Sequence, residues 1–212
     1  MNTQITLDNL AKLKLSGMAK VYQAILTMPV QEIPSVDQLM ARLVEAELQE
    51  RANKKTEMFL KVSKLRYNAI LENIYCNVHR NFTRENLLAL ADCSFIDRAE
   101  NILITGATGC GKSYLACALG RQACTLGHKT LYFGMARLIE KIAQSKLEGT
   151  YIKFINYLEK ANLIIIDDFG LHPLDTVTRL ALLQIMEDSY AKRSIIVDRK
   201  STRLNSSHGK LS

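Results

Sequence analysis

Two textures of hydrophobic and polar positions follow one another along the chain. Up to about residue 95, apolar side chains recur every three or four positions. Leu10, Leu13, Met18, Val21, Tyr22, Ile25 and Leu26 keep the 3.6-residue period of a helix with one buried side. Pro34 breaks this pattern, and Ser35 with Gln38 three residues later is a capping-box start. The spacing predicts a second helix running through the sixties, with Leu39, Leu43, Ala46 and Leu48 on one face. Its second half is basic, with Arg51, Lys54, Lys55, Lys61, Lys64 and Arg66. This is either a solvated face or a contact strip for phosphates.

From Glu100 onward, short apolar runs alternate with helical segments. Strands are expected at 101–105, 130–133, 163–166 and 194–197, and helices at 112–126, 136–146 and 177–192. Such alternation implies βαβ units and a parallel sheet covered on both faces. The all-apolar Leu163-Ile164-Ile165-Ile166 suits a central strand. The expected class is α/β: a three-layer α/β/α core preceded by a small all-helical N-terminal domain. The expected segments are a helical domain over 1–70, a helical linker over 71–99 and the core over 100–197. Residues 198–212 (DRKSTRLNSSHGKLS) are rich in polar residues and lack apolar periodicity. They are expected to be a disordered tail. A non-native origin for it is a hypothesis that comparing genomic and expressed sequence would settle.

The 28 Lys and Arg against 21 Asp and Glu give +7, but residues 1–99 carry only +2 of this and 100–197 another +2. The last fifteen residues carry +3, so the overall charge is weak evidence for nucleic-acid binding. No apolar run approaches the roughly 18 residues of a membrane span, and the N-terminus lacks a signal-peptide core. A cytoplasmic protein is expected. The five cysteines, Cys76, Cys93, Cys110, Cys117 and Cys124, are then reduced thiols. Cys117 and Cys124, seven apart, should share the buried side of their helix. Cys76-Asn77-Val78-His79 has metal-like spacing but lacks the second pair of a zinc site.

Gly106-Ala107-Thr108-Gly109-Cys110-Gly111-Lys112-Ser113 satisfies G-x-x-x-x-G-K-[ST], the Walker A pattern, between an expected strand and an expected helix. Glycines let the loop turn its N–H groups onto phosphates, and the helix end adds its dipole. Lys112 would meet the β- and γ-phosphates, and Ser113 could ligate Mg2+. Tyr114 follows on the same helical turn and joins the expected nucleotide contacts. The strand at 163–166 runs into Asp167 and Asp168, a Walker B pattern. Asp167 would hold Mg2+, while Asp168 would orient the attacking water. Lys112 and Asp168 are therefore the candidate catalytic residues, and Ser113 and Asp167 the candidate metal ligands. The competing readings are an incidental glycine turn and a helix-capping pair of aspartates. Two adjacent acids exceed what metal binding needs, which points to hydrolysis. His79, His128 and His172 belong to no recognisable constellation.

The stretches ENILITGATGCGKSYLACALG, NLIIIDDFGLHPL and LLQIMEDSYAKRSIIV resemble the IstB-like ATP-binding proteins, AAA+ helper ATPases of insertion-sequence transposition. LKLSGMAKVYQAIL and FIDRAENILITG extend the resemblance to residues 8–197. It implies a P-loop NTPase of AAA+ type, with ATP and Mg2+ as cofactors and ATP hydrolysis as activity. It further implies a homo-oligomer on double-stranded DNA working with a transposase. Relatives usually follow the SIIV strand with a Thr-Ser-Gln/Asn triplet, and here Asp198-Arg199 stand there. Ser189-Tyr190 replaces a frequent Arg-Tyr, and the family's further strand and helical lid do not follow. The alternatives are a DnaC-type helicase loader, a small P-loop kinase and a truncated, inactive remnant of the same family.

Overall fold

The computed structural model describes residues 3–77, 82–171 and 174–200. His79, His172 and residues 201–212 of the expected tail lie outside them. The chain divides into two compact units that meet at Met58 and Phe59, earlier than the expected boundary at residue 70. Side chains just past this point belong to the second unit's core, where Val62, Leu65, Ala69 and Leu71 pack.

The first unit holds α1 (Thr3–Lys12), α2 (Ser16–Leu26) and the front of α3 (Val36–Ser63). Ser35 caps α3 as expected: its N–H donates to Gln38 Oε1 at 3.3 Å, and the Gln38 N–H returns to Ser35 Oγ at 3.4 Å. Helix α2 starts where its backbone touches α3. A Cβ on Gly17 would lie 2.4 Å from the Ala46 carbonyl oxygen, so only glycine permits this approach. The free N–H groups of Gly17 and Met18 donate to Glu47 Oε2 at 2.8 and 3.4 Å, a buried carboxylate at a helix N-terminus. Glu47 thus takes an inward position, while Leu48, expected beside Leu43, is exposed. The basic run is not one strip, because Arg51 pairs with Glu47, and Lys54 with Glu50.

The second unit is built on β1 (Ile102–Gly106), α6 (Lys112–Thr125), β2 (Thr130–Gly134), α7 (Met135–Leu147), α8 (Tyr151–Glu159), β3 (Leu163–Phe169), α9 (Thr176–Ser189) and β4 (Ser194–Lys200). The four strands are all parallel in the order β1-β4-β3-β2. Strand alternation sorts the core into two layers. Leu163 and Ile165 pack with Ala116, Leu119 and Ala123 of α6, while Ile164 and Ile166 pack with α7, α8 and α9. The strand is buried on both faces because it reads apolar on both faces. Cys117 and Cys124 are buried on α6 as expected, and burial pushes both thiols up.

Three expectations change here. Residues 71–99 form no continuous helix but a tight turn (Leu71–Asn73), an Asn77–Phe82 bridge, and the helices α4 (Arg84–Ala91) and α5 (Ser94–Asp97). Helix α8 was not anticipated, although Tyr151, Phe154, Ile155 and Leu158 carry its period. Finally, Asp198, Arg199 and Lys200 continue β4: all three pair with β1, and Arg199 also pairs with Phe169 of β3. They are strand, not disordered tail.

Candidate nucleotide and metal site

Strand β1 delivers the chain to Gly106, and the loop from Ala107 turns into α6 at Lys112. Gly109 and Gly111 stand at φ +77° and +91°, the left-handed region that a side chain disfavours. Gly111 is therefore the N-cap of α6, and the unpaired N–H groups of its first turn open into the loop. Lys112 folds back so that Nζ donates to the Ala107 carbonyl at 3.1 Å. Its ammonium is thus held over the loop.

The acids arrive from β3. Ser113 Oγ lies 2.9 Å from Asp167 Oδ1, and the Tyr132 hydroxyl donates to Asp167 Oδ2. The Asp168 N–H donates to Asp167 Oδ1 at 2.9 Å. Burial would raise the Asp167 carboxyl, but the hydrogen bonds from Tyr132, Asp198, Ser113 and the Asp168 amide outweigh it and hold it below its usual range. The two acids then diverge in setting: the Asp167 side chain is fully buried, and that of Asp168 is 46% exposed. Simple alternation would send them to opposite faces. Instead the β3–β4 register shifts between Ile166 and Phe169, and Asp168 takes φ +59°. This irregularity keeps both acids near the loop.

Loop, Lys112, Ser113, Tyr114, Asp168 and Asp198 line one recess of about 360 Å3. The recess brings Thr108, Gly109, Gly111, Lys112, Ser113 and Tyr114 together with Asp168, while the buried Asp167 is reached through Ser113, and Gly106, Ala107 and Cys110 do not line it. The exposed Cys110 lies in the loop beside Gly106, where a Cβ would meet its sulfur at 3.0 Å. Positive-φ glycines, a helix N-terminus, a poised ammonium and a hydroxyl–carboxylate pair suit a polyphosphate with Mg2+. Among the described residues no three His, Cys, Asp or Glu side chains gather to hold a metal alone, so such an ion would also need phosphate oxygens.

Three participants escaped the sequence reading. Arg66 reaches Asp168 Oδ2 at 3.4 Å and Asp167 Oδ2 at 3.7 Å, and its only sequence signal was membership of a basic run. Tyr132 reads as an ordinary strand aromatic. Asp198, assigned to the tail, is 3% exposed, with Oδ2 at 3.0 Å from Ser113 Oγ and Oδ1 lacking a hydrogen-bond partner. Burial and its contact with Asp167 push the Asp198 carboxyl up to about 6, against the pull of Ser113 and Lys112.

That shift has a testable sign. Between the ordinary 3.8 and about 6, the folded protein holds a proton that the unfolded chain has released, so stability falls as pH rises through this window. Asp198→Asn should remove that fall and raise the melting temperature at pH 7.5. Thermal melts from pH 4 to 8 measure it, and parallel curves for parent and variant would refute it.

The sequence match is extensive. A family model described as IstB-like ATP binding protein matches residues 8–205. A protein described as an ATP-binding protein of insertion sequence IS1162 in Pseudomonas fluorescens is 35% identical over 210 residues, spanning 99% of this chain and 90% of that protein. An insertion-sequence ATP-binding protein of Sinorhizobium fredii is 35% identical over 192 residues, 91% of this chain and 78% of that one. Among solved structures, the replication initiator DnaA bound to AMPPCP and single-stranded DNA superposes with TM-score 0.57 and 21% identity, over 65% of this chain and 43% of that one. The DnaC helicase loader gives 0.55 and 24%, over 68% and 83%. At these identities the two structures speak for the shared AAA+ P-loop fold alone.

Proposed function

Because the chain belongs to the IstB-like ATP-binding protein family, we propose that it is a Mg2+-dependent ATPase of insertion-sequence transposition. In this reading ATP binding drives assembly of a homo-oligomer on double-stranded DNA in the cytoplasm, where it assists a transposase. Among the described residues no helix is long and apolar enough to cross a membrane. The observation that carries the reading is the convergence of Lys112, Ser113, Asp167 and Asp168 around one glycine loop.

The chain's own groups divide the work. Loop N–H groups and the α6 N-terminus bind the phosphates of ATP. Lys112 exchanges its bond to the Ala107 carbonyl for β- and γ-phosphate oxygens. Ser113 and Asp167 would hold Mg2+, which when bound neutralises charge on the transferred phosphoryl group. Tyr132 locks the Asp167 carboxylate in place. Asp168, the exposed acid, accepts a hydrogen bond from the attacking water and sets it in line.

ATP hydrolysis measured with and without duplex DNA tests this reading. Several-fold stimulation by duplex is expected, together with tighter duplex binding when ATP is present. Equal rates, with duplex affinity indifferent to ATP, would defeat the DNA-linked part. A helicase-loader role rests on likeness of fold alone, and co-purification with a replicative helicase rather than a transposase would favour it.

A further inference from the structure

Beside β2, one of the two edge strands of the sheet, lies a second and larger depression of about 910 Å3. Three separate segments carry positive charge into it. Lys64 and Arg66 follow the end of α3, Arg137 and Lys141 stand one turn apart on α7, and Lys153 opens α8. Among the described residues its lining has a single carboxylate, Asp168, which is already engaged by Arg66. Lys64, Arg137, Lys141 and Lys153 have no carboxylate within 4 Å among the described residues. Like charges four apart on a helix oppose its formation, and cations gathered in a low-dielectric cleft repel one another. Folding gains nothing from this arrangement, whereas a polyanion would.

We propose that this groove seats the sugar-phosphate backbone of duplex DNA. The inference rests on the reading above that the protein acts on DNA, and it names where. Its walls favour a duplex over a single strand. Single-strand sites offer open aromatic faces on which bases stack. Here Phe154 is buried, the partly buried Phe133 packs against it at an edge-on ring angle, the Tyr132 hydroxyl is held by Asp167, and the 38%-exposed Tyr157 already has the Lys129 ammonium 5.2 Å from its ring centre. Cations without stacking platforms read backbone, not bases.

The groove also adjoins the nucleotide recess. Arg66, Asp168 and Leu171 line both. A DNA phosphate entering the groove competes with Asp168 for the Arg66 guanidinium. Loss of that ion pair frees the Asp168 carboxylate to act on water. Occupancy of the groove is thereby transmitted to hydrolysis across one shared side chain.

The test is the triple variant Arg137→Ala/Lys141→Ala/Lys153→Ala in the full chain, with Lys141→Glu as a single-site companion. Duplex affinity, read by fluorescence anisotropy with ATP over a salt series, should fall at least about tenfold at 0.1 M salt. The slope of log affinity against log salt should shrink by about 2 to 3. Stimulation of hydrolysis by duplex should vanish, while ATP affinity and DNA-free hydrolysis stay at parental values. Parental duplex affinity and slope in both variants would overturn the groove assignment alone. A loss confined to single-stranded DNA, or polyglutamate competing as well as duplex, would overturn it too. A parent protein that binds no duplex in any nucleotide state would instead overturn the DNA-linked function from which the inference starts.

Discussion

Asp168→Asn is expected to lower ATP turnover by about two to three orders of magnitude, with ATP affinity within a few-fold of the parent, as loss of a positioned proton acceptor does. The asymmetry of the acid pair is the reason. Asp167 is buried and bonded by Ser113, Tyr132 and the Asp168 amide, which suits the ion-holding role proposed for it. Asp168 projects from a register shift at φ +59° into the recess, with half its side chain open and, among the described residues, only Arg66 as an ion-pair partner. Asparagine tolerates that backbone region nearly as well as aspartate, so the loop keeps its shape and loses only the negative acceptor. Single-turnover hydrolysis and a fluorescent-nucleotide titration separate the two effects. Parental hydrolysis would remove Asp168 from the chemistry. Joint loss of binding and turnover would make it a metal ligand.

Lys112→Ala should weaken ATP binding by about a hundredfold. A charge-assisted hydrogen bond contributes about 1.5–3 kcal/mol, and each 1.4 kcal/mol is a factor of ten. The Lys112 side chain is only 10% exposed, so water replaces little of what is lost. A second effect acts in the same direction: its Nζ lies 3.8 Å from Asp198 Oδ1 and offsets that carboxylate's charge. Without it, Asp198 faces the incoming phosphates with its charge no longer offset. Lys112→Arg should recover only part of the affinity, because a planar fork does not fit a cradle shaped for a point charge. Calorimetric titration with a non-hydrolysable ATP analogue measures both variants. Alanine binding within threefold of the parent would contradict the role assigned to the ammonium.

These effects differ in how far the linear chain announces them. The glycine loop and the acid pair are legible because each is compact. Eight consecutive residues form the cradle, and an apolar strand runs straight into Asp167-Asp168. The strand–helix alternation is equally local, since a buried parallel strand must be apolar on both faces. Arg66 is a different case. It sits more than a hundred residues before the acid it meets, in a stretch whose charges look interchangeable. Asp198 shows how a polar sequence misleads. Read alone, DRKSTRLNSS has no period, yet its first three residues are pinned by a ladder to β1, and Arg199 is also paired with β3.

The chain by itself determined the parallel α/β core, the position of the phosphate loop and the identity of the acids that follow β3, because periodicity, glycine placement and strand ends act over a few neighbouring residues. Only the tertiary structure decided that Asp167 is sealed while Asp168 stays open, that Arg66 joins the recess to a basic groove, and that Asp198 brings a second carboxylate against Ser113. Those outcomes depend on strand register and on side chains brought together across distant segments, and no local spacing encodes them.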